Sequence, residues 1–261
     1  MLSAFGAAHF DTIAKLDRPP EPASIPGRVR RYAGGAGFNA SRQHVRAGGR
    51  ATLHTPGPVE QLRPYAAGVA LAPIGASDGG PSYTAILDPA GDLVVAVADM
   101  DCYDRLQPDE ADARGASHLL VDANLSAAFL EALVAGLAPE VKLYAMAVSP
   151  AKIGRLSSFA ERIDILFANR RERQAANLPV RAALVTDGPG AMRFESADGS
   201  ISHRVDPQPV VDVTGAGDAV AGTFLFALMN GSDPATALAM AAAAAAETIA
   251  AAGPFPFEDP A

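Results

Sequence analysis

The amino-acid sequence predicts a three-layer α/β/α domain with a mostly parallel central sheet and a small β-sheet lid. The main observation is that strand-like apolar runs alternate with helical runs from residue 116 onward. Such an alternation is typical of a parallel sheet covered by helices on both faces. Two segments, at about 11–33 and 82–104, break the alternation, and we expect them to form the lid. The whole chain, residues 1–261, is therefore interpreted as one domain.

The alternation contains four strand-like runs, at 116–125, 141–148, 164–169 and 181–188, and the first three are each followed by a helical run. Ligands of such folds bind at the carboxyl ends of the strands. The polar residues at these ends are therefore expected on one rim of the sheet, and they are Asp122, Asn124, Asn169, Thr186 and Asp212.

The last part of the chain predicts a strand end, a turn and two helices. Val210, Val211 and Val213 favour the strand end, and the first helix is expected to stop at Asn230-Gly231. In the second helix Asp233 fits an N-cap and Pro234 the first helical position.

The two segments that break the alternation are poor helices. The first contains DRPPEPASIPG, which is too rich in proline for a helix, and the second is expected to form a hairpin that turns at Pro89-Ala90-Gly91. Strands of a small lid would have open edges, which favours pairing with a second copy of the chain. The sequence therefore predicts a homodimer.

Composition and charge exclude several classes of protein. The 261 residues are 49% hydrophobic, which is enough for a sizeable core. The net charge of −8 argues against nucleic acid as a partner, because non-specific binding to phosphates needs a basic surface. The single cysteine, Cys102, excludes an internal disulfide, as expected in a reducing compartment.

The N-terminus has neither a basic region nor a long apolar run, so we expect no secretory signal. The alanine-rich segment 234–253 carries Glu247 and is framed by helix-capping residues, which favours a soluble helix over a membrane span. These features predict a cytoplasmic protein with no membrane partner.

A glycine-rich turn lies between Asp212 and Asp218, in the segment VVDVTGAGDAVAGTF. The backbone N–H groups around Gly215, Ala216 and Gly217, together with the positive end of the following helix, suit an anion. If that anion is a phosphoryl group in transfer, Asp218 is placed to accept a proton from the attacking hydroxyl. The alternative is that Asp218 only caps the helix.

A second glycine-rich segment, YAGGAGFNASRQHVRAGG, covers residues 32–49 and predicts a helix with Asn39 near its start. Its residues 35–40 match the pattern G-x-G-x-x-A of dinucleotide-binding turns. However, the preceding GRVRRY does not favour a buried strand, and no acidic residue ends a clear second strand about 20 residues further on. An NAD-dependent oxidoreductase that uses the Gly35 turn is therefore the less favoured alternative.

A third motif is the pair Asn169 and Glu172, which lies on one face if the segment is helical. An amide and a carboxylate at the end of a strand could hold a hydrated Mg²⁺. The alternative is a capping box, in which Asn169 caps the helix and Glu172 bonds back to it.

Some nucleotide-binding features are absent from the sequence. It has no G-x-x-x-x-G-K-[ST] loop, its only lysines are Lys15, Lys142 and Lys152, and its five histidines lack metal-ligand spacing. Phosphate charge would therefore be met by backbone N–H groups, Mg²⁺ or arginine.

These motifs together resemble the ribokinase-like family of sugar and nucleoside kinases. The segments that carry the likeness are GGAGFNAS, N-x-x-E at 169–172, LVTDGPGA at 184–191 and DVTGAGDAVAG, and they occur in the order found in that family. A narrower resemblance to the bacterial pseudouridine kinases lies in AILDPAGDLVVAVADMDCYDRLQP, VDANLS and AVSPAKIGRL.

The resemblance implies roles for single residues. Asp218 would be the general base, and Gly215, Ala216 and Gly217 would form the anion hole. Asn169 and Glu172 would organise Mg²⁺ and the phosphates of ATP, with Thr186, Gly188, Gly190 and Ala242 also in the ATP site. Asp11, Gly35 and Asn39 would hold the sugar hydroxyls. A site for a monovalent cation such as K⁺, near Asp212, Thr214 and Gly253, stays open.

The implied function is ATP-dependent phosphorylation of the primary hydroxyl of a ribosyl compound, with pseudouridine as the favoured acceptor. Alternatives are ribose, another sugar or a purine nucleoside, and a sugar- or nucleotide-binding protein without turnover. The sequence also departs from the family pattern, because the short segment 58–80 lacks an expected strand–helix unit.

Overall fold

A computed structural model of the protein describes residues 1–75, 80–204 and 209–251, in which the strands form one sheet of nine strands and one of four. In chain order the strands are Leu2–Phe5 (β1), His9–Leu16 (β2), Gly27–Gly34 (β3), Ala51–Thr55 (β4), Ala70–Pro73 (β5), Ser82–Leu87 (β6), Leu93–Asp99 (β7), His118–Asp122 (β8), Lys142–Met146 (β9), Ile165–Asn169 (β10), Ala182–Thr186 (β11), Ala191–Ser196 (β12) and Gly199–Arg204 (β13). The α-helices are Ala36–Arg46 (α1), Val59–Leu62 (α2), Asp101–Asp104 (α3), Ala127–Ala135 (α4), Arg170–Ala175 (α5), Ala216–Met229 (α6) and Pro234–Ile249 (α7). Shorter-pitched 3-10 helices occupy Arg63–Tyr65, Pro108–Glu110 and Ile153–Arg162.

The nine-stranded sheet forms the centre of the molecule, in the order β13-β12-β11-β10-β9-β8-β1-β4-β5. The strands from β11 to β5 along this order are parallel, and only β12 and β13 run antiparallel to their neighbours. Parallel neighbours need crossover connections, usually helices, and this accounts for the alternation in the sequence. The predicted mostly parallel central sheet is confirmed.

Helices cover both faces of this sheet. In β8, Leu120 faces one side and packs in the same buried cluster as residues of α1, α6 and α7. Leu119 and Val121 face the other side, where the cluster includes residues of α3, α4 and the 3-10 helix Ile153–Arg162. The alternation of buried side chains along one strand thus builds two cores and three layers, which confirms the predicted α/β/α fold.

The second sheet has the order β3-β2-β6-β7, and the chain segments 9–34 and 82–99 supply its strands. Strands β6 and β7 pair antiparallel around a turn that includes Gly91, as the hairpin pattern indicates. Several of its apolar side chains are exposed, namely Val29, Leu93, Val95 and Val97. That this sheet acts as a lid, and that the chain forms a homodimer, stay predictions.

One buried tyrosine joins two of the connections between the sheets. Tyr103 lies in α3, on the path from β7 to the central strand β8, and is 1% exposed. Its hydroxyl lies 3.1 Å from the N–H and 3.2 Å from the carbonyl oxygen of Ala8, on the path from β1 to β2. The outgoing and returning chain segments are therefore held together by hydrogen bonds.

Two local predictions are wrong. Residues 58–80 do contain a strand–helix unit, because α2 is present and β5 pairs in parallel with β4. Helix α2 has four residues, of which only Val59 and Leu62 are buried, so it is too short to show helical periodicity. The segment 210–213 is not a strand: the N–H groups of Val211 and Asp212 both bond to the carbonyl oxygen of Ile249, at 2.8 and 3.3 Å, at the end of α7.

The ends of the last two helices agree better with the sequence. Helix α6 ends with Asn230 as its C-cap, followed by Gly231 at a positive φ of 85°. The Asp233 side chain caps α7 by accepting hydrogen bonds from the N–H groups of Ala235 and Thr236. Within the part of the chain that the structure describes, no helix has the length and apolar character needed to cross a membrane.

Helices α1 and α6 lie in close contact at Gly222. A Cβ atom at this position would lie 2.2 Å from the carbonyl oxygen of Ala40 and 2.9 Å from the backbone nitrogen of His44. The same contact is polar, because Gln43 donates to the Thr223 hydroxyl at 3.2 Å and the His44 ring lies 3.3 Å from the Gly222 carbonyl oxygen. The absence of a side chain at Gly222 therefore sets the distance between the two helices.

We expect Gly222→Ala to push α1 and α6 apart, because the new methyl group would meet the backbone of α1. Overpacking of this kind typically costs about 1–3 kcal/mol, so the free energy of unfolding, measured by chemical denaturation, should fall by that amount. Gly154→Ala is the matched control, because a Cβ at Gly154 would meet no atom within 4 Å. Equal stability of the two variants would contradict the role of the close contact.

Candidate active site

The carboxyl ends of the central strands bring two of the expected residues together. Strand β10 ends at Asn169 and β11 at Thr186, and the register of the two strands pairs these residues with each other. After Thr186 the chain turns through Gly188, which has a positive φ of 54°, to Gly190, whose N–H bonds to the Asp187 carbonyl oxygen at 2.8 Å. This part of the rim is thus an open turn beside the end of β10.

Asp122 also ends a central strand, and its carboxylate faces backbone N–H groups of the protein. It is fully buried, and its carboxylate accepts hydrogen bonds from the N–H groups of Ala7, Gly37 and Asn124, at 2.7, 2.9 and 2.9 Å. Burial raises the pKa of this carboxyl, and the three N–H donors oppose that shift. Asp122 therefore joins β8, the connection after β1 and the start of α1.

The glycine turn positions the start of α6. Gly215 is the N-cap, with a left-handed φ of 79° that a residue with a side chain adopts only at a cost. Asp218 lies in the first turn of the helix, where N–H groups have no partner within the helix. A Cβ at Gly217 would meet no atom within 4 Å, so the space beside this turn is open. An anion could approach the helix start through that space.

Asp218 meets Asn39 of α1. The Asn39 Nδ2 atom donates a hydrogen bond to Asp218 Oδ2 at 2.9 Å. Burial raises the pKa of the Asp218 carboxyl to about 7; the Asn39 hydrogen bond and the charge of Arg42 lower it, whereas the charges of Asp122 and Glu172 raise it further. A carboxyl that titrates near neutral pH in an open helix start is suited to general-base chemistry.

Asn169 and Glu172 form the capping box of α5. The Asn169 Oδ1 atom accepts from the Glu172 N–H at 2.9 Å, and Glu172 Oε2 accepts from the Asn169 N–H at 2.8 Å. Glu172 is 6% exposed, and burial raises the pKa of its carboxyl. The capping alternative is thus present, and it uses one polar atom of each side chain.

A complete metal site is not built from protein side chains in the described parts of the chain, where no three His, Cys, Asp or Glu residues are grouped to hold an ion. Mg²⁺ in phosphoryl-transfer sites is commonly bound by one or two carboxylates together with substrate phosphates. A single buried carboxylate such as Glu172 fits that mode of binding and does not fit a dedicated protein cage.

Asp11 lies in β2, within the four-stranded sheet, opposite Tyr32 of β3 and Tyr83 of β6. Its Oδ1 atom lies 3.3 Å from Nε2 of His9, and Nδ1 of His9 lies 3.1 Å from the Tyr103 hydroxyl. Asp11 is therefore oriented by a chain of side chains that leads back to the connections between the sheets.

Other predicted site residues have structural surroundings that the sequence does not reveal. Gly35 begins α1 with a φ of 106°, and a Cβ there would lie 2.4 Å from the Ala7 carbonyl oxygen. Asp212 and Thr214 lie in one turn, since the Thr214 N–H bonds to Asp212 Oδ1 at 2.9 Å. Gly253 lies outside the described residues, so the cation site stays a prediction.

The expected position of Ala242 beside adenine stays a prediction. Ala242 is 4% exposed and belongs to the core cluster that also contains Leu238 and Ala245 of the same helix. The outward face of α7 is instead formed by residues such as Ala243 and Glu247, which are exposed. The small side chain of Ala242 serves packing, because the helix lies flat on the core at this point.

Three residues of the site were missed by sequence reasoning. Arg42 is buried behind Asn39, and His9 and Tyr103 lie behind Asp11. Only Arg42 has a signal in the sequence, since it follows Asn39 by three positions and shares its helix face. The contact of Tyr103 with Ala8 spans 95 positions of sequence and has no local signal.

The turn at Gly35 does not have the context of a dinucleotide site. The preceding strand β3 belongs to the four-stranded sheet and runs antiparallel to β2, whereas a dinucleotide-binding turn follows a strand of a parallel sheet. The NAD-dependent alternative therefore lacks structural support.

Comparison with known proteins gives a consistent result. Residues 85–258 match the family described as pfkB family carbohydrate kinase. A carbohydrate kinase from Agrobacterium tumefaciens is 34% identical, with a TM-score of 0.85 over 96% of this chain and 91% of that one. The ribokinase of Thermotoga maritima (18% identity, TM-score 0.82, 97% and 93% covered) and the nucleoside kinase of Methanocaldococcus jannaschii (20%, 0.80, 97% and 92%) share the fold. None of the curated proteins compared matches the chain. The chain therefore belongs to the pfkB family of carbohydrate kinases and is an ATP-dependent sugar or nucleoside kinase.

Proposed function

We propose that the protein transfers the γ-phosphate of ATP to the primary 5′-hydroxyl of a ribosyl compound, with pseudouridine as the favoured acceptor. The observation that carries the transfer step is the position of Asp218 in the open first turn of α6, with a pKa raised by burial to about 7. A carboxylate used only as a helix cap has no need of the open space at Gly217.

Asp218 is the proposed general base. Its Oδ2 atom is held by Asn39, so the other carboxylate oxygen, Oδ1, is the one that accepts the proton of the acceptor hydroxyl. Removing that proton as the hydroxyl attacks the phosphorus raises the nucleophilicity of the oxygen. With the pKa of this carboxyl raised by burial to about 7, about half of the groups are ionised at neutral pH.

The N–H groups of the first turn of α6 are proposed to bind the oxygens of the phosphoryl group in transfer. They come from residues 215–218, and the positive end of the helix adds to their effect. These groups are fixed before the substrate binds, so they need no reorganisation when negative charge shifts during transfer.

Mg²⁺ is proposed to be held mainly by the ATP phosphates and water. Glu172 would accept hydrogen bonds from its water ligands through Oε1, and Asn169 would donate through Nδ2 to a phosphate oxygen, because the capping box does not use these two atoms. When bound, the ion offsets the negative charge of the phosphates. Thr186, Gly188 and Gly190 are proposed to contact ATP from the turn that follows β11.

Asp11, Asn39 and Gly35 are proposed to face the acceptor. Asp11 belongs to the four-stranded sheet and Asn39 to the α/β core, so an acceptor between them would touch both parts of the molecule. Closure of the small sheet over the acceptor would exclude water and limit ATP hydrolysis. Pseudouridine is favoured because AILDPAGDLVVAVADMDCYDRLQP, VDANLS and AVSPAKIGRL resemble the kinases of that nucleoside.

The proposed function is tested with a panel of acceptors under saturating ATP and Mg²⁺, with ADP release as the readout. The panel contains pseudouridine, uridine, adenosine, inosine, ribose and fructose. Pseudouridine should give the highest kcat/KM, its 5′-deoxy analogue should give none, and omission of Mg²⁺ should abolish turnover. A higher kcat/KM for ribose or a purine nucleoside would replace pseudouridine as the acceptor, and no ADP release with any of them would refute the proposed function.

Asp218→Asn should lower kcat by about 10²- to 10⁴-fold, the usual scale for loss of a general base. The wild-type kcat/KM for the acceptor should fall as the pH drops below about 7, because the raised pKa of Asp218 means that its carboxyl is then protonated.

Asp233→Asn is the matched control, because Asp233 also lies at the start of a helix but only caps it. It should leave kcat unchanged. Near-normal turnover of Asp218→Asn, or a wild-type acid limb below about pH 5, as for an ordinary carboxyl, would remove Asp218 from the role of base.

Asp11→Ala should weaken acceptor binding by about 10- to 200-fold, because hydrogen bonds to a charged group contribute about 1.5–3 kcal/mol. ATP affinity should change little, since Asp11 lies in the four-stranded sheet. Calorimetric titration measures both affinities, with Asp17→Ala as the control, because Asp17 is exposed and directly follows β2. Equal acceptor affinity in Asp11→Ala and wild type would place the acceptor elsewhere.

A further inference from the structure

Arg42 is a buried cation beside the proposed base. It is 4% exposed, and among the lysines and arginines that the structure describes no other side chain is buried to this degree. Burial lowers the pKa of its guanidinium to about 9, and the charge of Asp218 opposes that shift. Removing a cation from water is costly unless it is paired and hydrogen-bonded, so its position calls for a physical reason.

Among the residues that the structure describes, the hydrogen bonds and ring contact of Arg42 come from three parts of the chain. Its NH2 group donates to Asn39 Oδ1 at 2.5 Å and to the Ala33 carbonyl oxygen, near the end of β3, at 2.9 Å. Its NH1 group lies 3.5 Å from the carbonyl oxygen of Tyr65. The guanidinium also lies over the Phe38 ring, 4.3 Å from its centroid. The side chain is therefore held in one orientation.

These contacts determine which way the Asn39 amide points. A guanidinium only donates hydrogen bonds and accepts none, so the amide oxygen of Asn39 must face Arg42. The amide nitrogen then faces Asp218, to which it donates at 2.9 Å. A donor at this place favours the ionised carboxylate over the protonated one.

We propose that Arg42 is a positioning residue for catalysis: it holds the Asn39 amide so that the amide nitrogen faces Asp218. The inference rests on the proposed role of Asp218 as the base. Arg42 is proposed to act through Asn39, which bonds to both Arg42 and Asp218.

The other charged groups around Asp218 act in the opposite direction. Asp122 at the end of β8 and Glu172 of α5 both raise the pKa of Asp218, as does burial itself, whereas Asn39 and Arg42 of α1 lower it. Arg42 supplies the cationic contribution in this set. Without it, the pKa of Asp218 should rise above about 7.

A purely structural role and a positioning role are separated by the pH dependence of the rate. Arg42→Met keeps much of the length of the side chain and its contact with Phe38, but removes the charge and the donors. The oxygens of Asn39 and Ala33 then lose this donor, so a loss of stability is expected with either role. A structural role alone would lower the rate equally at all pH values, whereas the proposed role moves the acid limb.

The test measures kcat and kcat/KM for the best acceptor from pH 5.5 to 9.5, together with the thermal unfolding midpoint, in wild type, Arg42→Met and Arg42→Lys. In Arg42→Met the acid limb should move upward by about one pH unit, which at pH 7 corresponds to a loss of up to about tenfold in rate that recovers at high pH. The unfolding midpoint should fall, because the oxygens of Asn39 and Ala33 lose this donor, and the profiles are therefore measured at a temperature at which every variant is folded. Arg42→Lys keeps the charge, and its acid limb should lie between those of the other two proteins.

Two controls keep the outcomes distinct. Arg63→Met removes an exposed arginine that pairs with Glu60 and should not alter the profile. Asp218→Asn combined with Arg42→Met should be no slower than Asp218→Asn alone, because Arg42 acts through Asp218.

An acid limb that does not move in folded Arg42→Met, or a loss of rate that is equal at all pH values, would overturn the inference. If Arg42→Met fails to fold, Arg42→Lys decides the question. A profile of Arg42→Lys that equals the wild-type profile in acid limb and rate would show that the oriented guanidinium has no effect, and this result would also overturn the inference. A wild-type profile with no acid limb, or full activity of Asp218→Asn, would instead overturn the proposed function itself.

Discussion

The close contact between α1 and α6 at Gly222 is the constraint on which the candidate site depends. Helix α1 contributes Asn39 and helix α6 contributes Asp218, and these two side chains can form their hydrogen bond only when the helices lie close together. The two helices approach so closely because Gly222 has no side chain to meet the carbonyl oxygen of Ala40. Further along the same contact the buried polar groups of Gln43 and His44 find partners on α6. Since an unpaired buried polar group costs free energy, these pairs favour a single register between the helices and so a single distance between Asn39 and Asp218.

The electrostatics of the site follow from burial of several acidic groups around one open helix start. Burial raises the pKa values of Asp122, Glu172 and Asp218, and the carboxylates raise the pKa of Asp218 further through their mutual repulsion. The N–H donors at Asp122 and the capping box at Glu172 give these carboxyls fixed partners. Asp218 instead has one side-chain donor and a neighbouring space that is open at Gly217. Of these three carboxyl groups, Asp218 is therefore the one whose surroundings leave room for a substrate.

The connections between the two sheets are held by hydrogen bonds of buried or half-buried side chains. Tyr103 bonds to the backbone of Ala8, and His9 extends the same chain of contacts to Asp11. Arg42 reaches across to the Ala33 carbonyl oxygen near the end of β3. Residues that face the four-stranded sheet are therefore linked to α1 and α3 of the α/β core by hydrogen bonds. Motion of the small sheet, if it closes over an acceptor, would carry Asp11 with it and leave Asn39 in place.

Much of the secondary structure of this protein is determined by local sequence. The alternation of apolar and helical runs predicts the parallel sheet, since the periods of two and about 3.6 residues are properties of the backbone. A few neighbouring residues are likewise enough to predict the cap of α7 at Asp233 and the glycine turn before Asp218. The short helix α2, the absence of a strand at 210–213 and the inward orientation of Ala242 were decided only when these segments packed against distant parts of the chain. The same holds for the partners of Asp218, because Asn39 is 179 positions away from it. Local pattern reports which backbone conformation a segment prefers, whereas the pKa of a carboxyl and the orientation of an amide depend on the burial and charges that only the folded chain brings together.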